Sequence, residues 1–215
     1  MTAETIDPEQ AMDAAFAGGA CQLVDQAGRQ RPLATRRWRG SVDDTDRTLL
    51  LDRCRGRTID VGCGPGRLVA DLAAVDVPAL GIDVSPEAVR QARRRGALAL
   101  RRDVFASVPG EGRWDCALLA DGNIGIGGQP ERLLGRVGRI VRPGGRVVVE
   151  LEAVGTDIVR HRWRLRIGSR LTPAFDWAVV GMDAIDRLAQ TTGFDVDDLA
   201  TVGDRHVAVL RRVAQ

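Results

Sequence analysis

The chain has 215 residues, 44% of them hydrophobic, with 31 basic and 29 acidic side chains and a formal net charge of +2. That length and apolar content are enough for one sizeable core, while the near balance of charge supplies no field for nucleic acid and no apolar run nears the roughly 20 residues that cross a bilayer. Every basic residue is arginine and tyrosine is absent, which excludes Schiff-base and P-loop lysines and points to a GC-rich bacterial genome.

The chain starts with the acidic stretch MTAETIDPEQAMDAAF, which lacks the basic and long apolar parts of a secretory leader, so a cytoplasmic protein is expected. Asp7 as cap and Pro8 at the first position predict a helix over 8–18. Residues 21–38 alternate around Ala27 and Gly28 as a hairpin, and 43–54 read as another helix. Trp38 and its neighbours are either part of a lid over a ligand or a plain cover for a sheet. Cys21, Cys54, Cys63 and Cys116 make no Cys-x-x-Cys pair, so neither a metal site nor a redox motif is expected.

Residues 57–73, RTIDVGCGPGRLVADLA, are the most informative stretch. Ile59 and Val61 end a buried strand, Gly62, Gly64 and Gly66 make a tight turn, and Leu68, Val69 and Leu72 begin an amphipathic helix. A dinucleotide-binding loop would place its glycines at 62, 64 and 67, but position 67 is Arg67. Asp60, at the mouth of the loop, would repel a pyrophosphate and attract an amino group, which favours a cationic cofactor. A second strand then ends at Asp83, followed by a helix with Ser85 as N-cap, Pro86 at its first position and Gly96 as its stop. Residues 97–105 give a third strand ending at Asp103, and 115–120 a fourth. Leu133, Leu134, Val137 and Ile140 mark one stripe of a helix over 129–141, and a turn at Pro143 to Gly145 leads into a fifth strand.

Farther on, Val159, His161, Trp163, Leu165 and Ile167 alternate with Arg160, Arg162, Arg164 and Arg166, the pattern of a strand with one arginine face. The arginines either grip an anionic substrate or guard a solvated edge strand against aggregation. Residues 177–193 read as a helix with its approach, and 194–202 and 205–213 as a hairpin joined at Gly203 and Asp204.

The segment DVGCGPG at 60–66 resembles motif I of the class I S-adenosylmethionine-dependent methyltransferases, and the order of elements is similar along most of the chain. The resemblance implies a Rossmann-like, doubly wound α/β fold with a mostly parallel seven-stranded sheet and an antiparallel C-terminal hairpin strand. It implies S-adenosyl-L-methionine as cofactor and S-adenosyl-L-homocysteine as product. Asp60, Gly62, Cys63, Gly64 and Gly66 would form the loop at the methionine end, Asp83 with Val84 would meet the ribose, and Asp103 with Val104 the adenine. Asp121, Gly122 and Asn123 follow the fourth strand, where relatives acting on exocyclic amines of bases carry Asn/Asp-Pro-Pro-Tyr/Phe. The departure speaks against base methylation and leaves Asp121 and Asn123 as acceptor-orienting, cofactor-contacting or simple turn residues. His161 is the candidate general base, and Phe175 and Trp177 are pocket wall or core.

The expected organisation is a single domain, with an N-terminal cap at 1–56, a cofactor-binding core at 57–152, an acceptor-side insert at 153–180 and a C-terminal helix and hairpin at 181–215. The expected reaction is methyl transfer to an O, N or C nucleophile of a small molecule, by a monomer or homodimer, with no nucleic-acid or membrane partner. An NAD(P)-linked oxidoreductase, disfavoured by Arg67 and the terminal hairpin, and a non-catalytic cofactor-binding protein are the alternatives.

Overall fold

The computed structural model describes residues 5–214; residues 1–4, part of the acidic start, and Gln215 lie outside it. Helix α1 (Pro8–Phe16) begins where the Asp7 carboxylate accepts from the Glu9 amide and Pro8 fixes the first φ. Strands β1 (Cys21–Val24) and β2 (Gln30–Pro32) form the expected hairpin, turning at Gly28 with φ +80°. A single-turn helix α2 (Thr35–Trp38) follows, then α3 (Asp44–Leu49), closed by a reciprocal capping box between Asp43 and Asp46 and continued by a 3-10 turn at Leu51–Arg53.

The core alternates strand and helix: β3 (Thr58–Val61), α4 (Arg67–Ala74), β4 (Ala79–Asp83), α5 (Pro86–Arg94), β5 (Ala99–Arg101), β6 (Trp114–Leu119), α6 (Pro130–Ile140) and β7 (Val141–Leu151). After it come β8 (Ile158–Ile167), β9 (Arg170–Leu171), β10 (Phe175–Val180), α7 (Ile185–Thr191), β11 (Phe194–Val202) and β12 (Arg205–Arg212). One sheet has the order β11-β12-β7-β6-β3-β4-β5, parallel from β7 to β5, with β12 antiparallel to both its neighbours. Successive residues of β6 serve opposite faces: Ala117 and Leu119 pack with α6 and α7, while Leu118 packs with Leu49, Leu68 and Leu72. Among the described residues no helix is long and apolar enough to cross a membrane.

Three local expectations are corrected. Pro143 to Gly145 do not end an element: β7 runs through them, the register against β6 shifts between Trp114 and Cys116, and Gly144 takes φ +70°. Residues 175–180 form a strand rather than the approach to a helix, because the run Trp177 to Val180 pairs residue by residue with β8. Finally, β8 is an edge over only part of its length: Ile158–Trp163 pair with β10 and Arg164–Ile167 with β1, in a second sheet ordered β10-β8-β1-β2. The N-terminal hairpin and the insert, distant in sequence, thus share one antiparallel sheet. Along this strand Arg160 pairs with Glu131 at 2.8 Å and Arg162 with Asp176 at 3.4 Å, all exposed, while Trp163 and Leu165 are buried.

Candidate functional site

The loop between β3 and α4 turns through Gly62, Gly64 and Gly66, all in the left-handed region that side chains disfavour. A Cβ on Gly62 would lie 2.7 Å from the Asn123 amide nitrogen, and one on Gly66 would lie 2.5 Å from the Ala92 Cβ of α5. Gly66 therefore lets two helices approach. Asn123 donates to the carbonyls of Val61 and Gly62, each at 2.9 Å, tying the glycine loop to the loop after β6. The Gly64 amide donates to one oxygen of Asp83 at 2.9 Å and the Ser85 amide to the other at 2.8 Å. Cys63 is buried, its sulfur against the bare face of Gly81.

These residues open onto a cavity of about 550 Å³ whose wall also holds Asp60, Val84, Asp103 and Val104. Asp103 accepts from the Phe105 amide at 2.9 Å, so it caps a turn as well as facing the cavity. Asp60 is 1% exposed, and neither carboxylate oxygen has a hydrogen-bond partner among the described residues. Burial, followed by the negative field of Asp121, pushes its pKa up to about 7 against a partial opposing pull from Arg67. A buried carboxyl with no partner fits an ammonium group, and the bare glycine loop beside it leaves room for backbone approach; a methionine moiety has that ammonium.

A second cavity of about 430 Å³ adjoins the first, and the two share Met12, Trp38, Asp121, Leu165, Phe175 and Trp177. Asp121 stands at the junction in a left-handed conformation, φ +54°, which a non-glycine residue holds only when its surroundings enforce it. They do so here. Its amide donates to Glu150 at 2.7 Å, and its carboxylate pairs with Arg67 at 3.0 Å and Arg37 at 3.4 Å. Burial raises the Asp121 pKa, with Glu150 adding to the shift and Arg67 opposing it.

Beneath this junction lies an ionic network. Arg67, buried in α4, also pairs with Asp46 of α3; Arg205 of β12 pairs with Asp46 at 2.8 Å and with Glu150 at 2.7 Å. Helix α1 reaches the site through Asp13, which accepts from the Ser85 hydroxyl and, at 3.2 Å, from the Glu87 amide. Phe16 at its end faces Trp38 with ring centroids 6.1 Å apart.

The structure thus brings Asp60, Gly62, Cys63, Gly64, Asp83, Val84, Asp103, Val104, Asp121 and Asn123 to one cavity. Gly66 lies behind it against α5. His161 lines neither cavity; its ring lies 5.1 Å from that of Trp163. Arg160, Arg162, Arg164 and Arg166 line neither cavity, so they cannot grip an acceptor bound there. Sequence reading missed Asp46, Glu150 and Arg205, and gave Arg67 only an excluding role. A charged residue at the start of an otherwise apolar helix face was the available signal, but its partners lie 21 and 54 residues away in the chain.

Residues 59–145 match the family model described as a methyltransferase domain. A comparison with curated proteins finds no match. Among solved structures, an S-adenosylmethionine-dependent methyltransferase from Bacteroides fragilis, in complex with S-adenosyl-L-homocysteine, superposes with TM-score 0.79 at 17% identity, covering 100% of this chain and 98% of that one. The 1,6-didemethyltoxoflavin-N1-methyltransferase of Burkholderia thailandensis gives TM-score 0.62 at 17% identity over 100% and 94%. A sugar N-methyltransferase from Streptoalloteichus gives 0.59 at 18% over 79% and 85%. Residues 59–145 thus carry a methyltransferase domain, and the chain as a whole takes the fold of these S-adenosylmethionine-dependent methyltransferases.

Proposed function

We propose that the enzyme methylates an O, N or C nucleophile of a small molecule held in the second cavity. The observation that carries this reading is the junction at Asp121, where a cavity walled by the glycine loop and three strand-end acids meets one walled by aromatic and aliphatic side chains. The toxoflavin and sugar N-methyltransferases, which share the fold, act on small molecules by their descriptions.

S-adenosylmethionine, when bound, supplies a methyl group on a positively charged sulfur. The Asp60 carboxylate would hold its ammonium, Asp83 the ribose hydroxyls, and Asp103 with Val104 the adenine. An acceptor nucleophile aligned in the second cavity would take that methyl, the electron pair of the broken sulfur–carbon bond staying on sulfur. Asp121, with its pKa raised by burial, takes the proton of an N–H or O–H nucleophile. Charge is neutralised in the transfer, so alignment and exclusion of water dominate, and alignment alone supplies on the order of 7–11 kcal/mol. Trp38, Trp177 and Phe175 provide the dry wall common to both cavities.

The test is incubation with S-adenosylmethionine and a panel of small N–H and O–H compounds, read by mass spectrometry. A product heavier by one CH2, formed in step with S-adenosylhomocysteine, is the expected result. Asp121→Asn should lower kcat by at least about tenfold, with S-adenosylhomocysteine affinity kept within about threefold. Bound cofactor with no turnover over the panel would favour a binding protein instead.

A further inference from the structure

We propose that the second cavity takes a flat, uncharged aromatic or heteroaromatic ring as methyl acceptor, a reading that rests on the methyltransferase function above. Aromatic residues are scarce: the chain has four Trp, four Phe and no Tyr. Three of those tryptophans, Trp38, Trp163 and Trp177, converge with Phe175 on this one cavity. They come from separate elements, α2, β8 and β10, and the strand register sets Phe175 directly opposite Trp163. Flat walls of this kind reward a flat ligand by stacking.

Among the charged residues of the lining, Arg37 and Arg205 are engaged with Asp46, Asp121 and Glu150, while the exposed Arg31 lies with its guanidinium over the Trp163 ring at 4.7 Å. Glu152 and Asp204, the remaining acids of the lining, are exposed to water. Among the described residues, the buried carboxylates and the arginines that pair with them are thus already engaged, and the charges left over, Arg31, Glu152 and Asp204, stand at the wet rim. Over the part of the wall made by Leu23, Leu165, Val179 and Val180, the hydroxyls of a sugar would lose water without gaining partners, which a flat apolar ring does not suffer. The Trp163 indole N–H is buried without a partner among the described residues, a donor that a ring carbonyl or ring nitrogen would satisfy. A volume of about 430 Å³ suits one or two fused rings.

The experiment uses the full chain saturated with S-adenosylhomocysteine, titrated with lumazine, a fused two-ring pteridinedione, and separately with glucosamine, following tryptophan fluorescence and heat. Lumazine should bind and quench, and glucosamine should give neither signal. Trp163→Leu should weaken lumazine by about tenfold or more while S-adenosylhomocysteine affinity stays within about twofold, because Trp163 lines only the second cavity. Trp163→Phe, which keeps a flat ring, should hold lumazine within about threefold. Preference for glucosamine, no lumazine binding to the loaded protein, or unchanged lumazine affinity in Trp163→Leu would each overturn the aromatic acceptor. A flat S-adenosylhomocysteine isotherm would instead overturn the methyltransferase reading on which it rests.

Discussion

Asp60 has a folded pKa near 7 against an ordinary value of 3.8, so across that window the folded protein holds a proton that the unfolded chain has lost. Stability of the ligand-free protein therefore falls as pH rises from about 4 to about 7, by a few kcal/mol. An ammonium beside Asp60 reverses the shift, so cofactor binding releases a proton below pH about 7 and tightens as pH rises through that range. Asp83 and Asp121, also raised by burial, act in the same direction. Calorimetry of S-adenosylhomocysteine in two buffers of different ionisation enthalpy should show proton release at pH 6, and Asp60→Asn should remove most of it. A pH-independent isotherm would contradict the assignment of the ammonium to Asp60. Asp83 carries a second lesson at this scale. Its place at a strand end was legible, but its hydrogen bonds from the Gly64 and Ser85 amides were not, because they depend on how the glycine loop lies against β4. Asp83→Ala should accordingly lower the melting temperature as well as cofactor affinity, costing about 1–3 kcal/mol in stability, and Asp83→Asn less.

Among the elements, α4 joins the cofactor loop to the ionic network through Arg67. Replacing Arg67 with Leu removes one of three arginines from buried Asp46 and one of two from Asp121, and should destabilise the fold by about 3 kcal/mol in urea unfolding. Little loss would show that Arg205 and Arg37 satisfy Asp46 without it. Strand β8 shows the limit of pattern reading. Alternation from Val159 to Ile167 identified a strand and its two faces, because a period of two is local. Its status as edge or centre was not local. It depends on β1, more than a hundred residues earlier in the chain, which covers Arg164–Ile167 and leaves Ile158–Trp163 paired with β10. Since Arg162 and Arg164 line neither cavity, neutralising both should leave the acceptor Michaelis constant unchanged and shift stability by no more than about 0.5 kcal/mol. A raised Michaelis constant for an anionic acceptor would return those arginines to the site.

Over the whole molecule, the parallel core was legible because strand and helix alternate with short connections, and the reversed β12 because Gly203 and Asp204 join two apolar runs. The second sheet was not legible. It is assembled from residues near the N-terminus and from the insert, and neither segment states which partner it will find. Yet this sheet supplies Trp163, Leu165, Phe175 and Trp177, which wall the second cavity, whereas the first is walled by strand ends that the motif spacing already marked. The central claim is that the cavity beside Asp60, Gly64 and Asp83 binds S-adenosylmethionine and its product. Calorimetric titration of the purified chain with S-adenosylhomocysteine and, in parallel, NAD tests it most directly. Saturable one-site binding of S-adenosylhomocysteine, abolished by Gly64→Val in a protein that still unfolds cooperatively, with no heat from NAD, is the predicted result; saturable binding of NAD with a flat S-adenosylhomocysteine isotherm would contradict it.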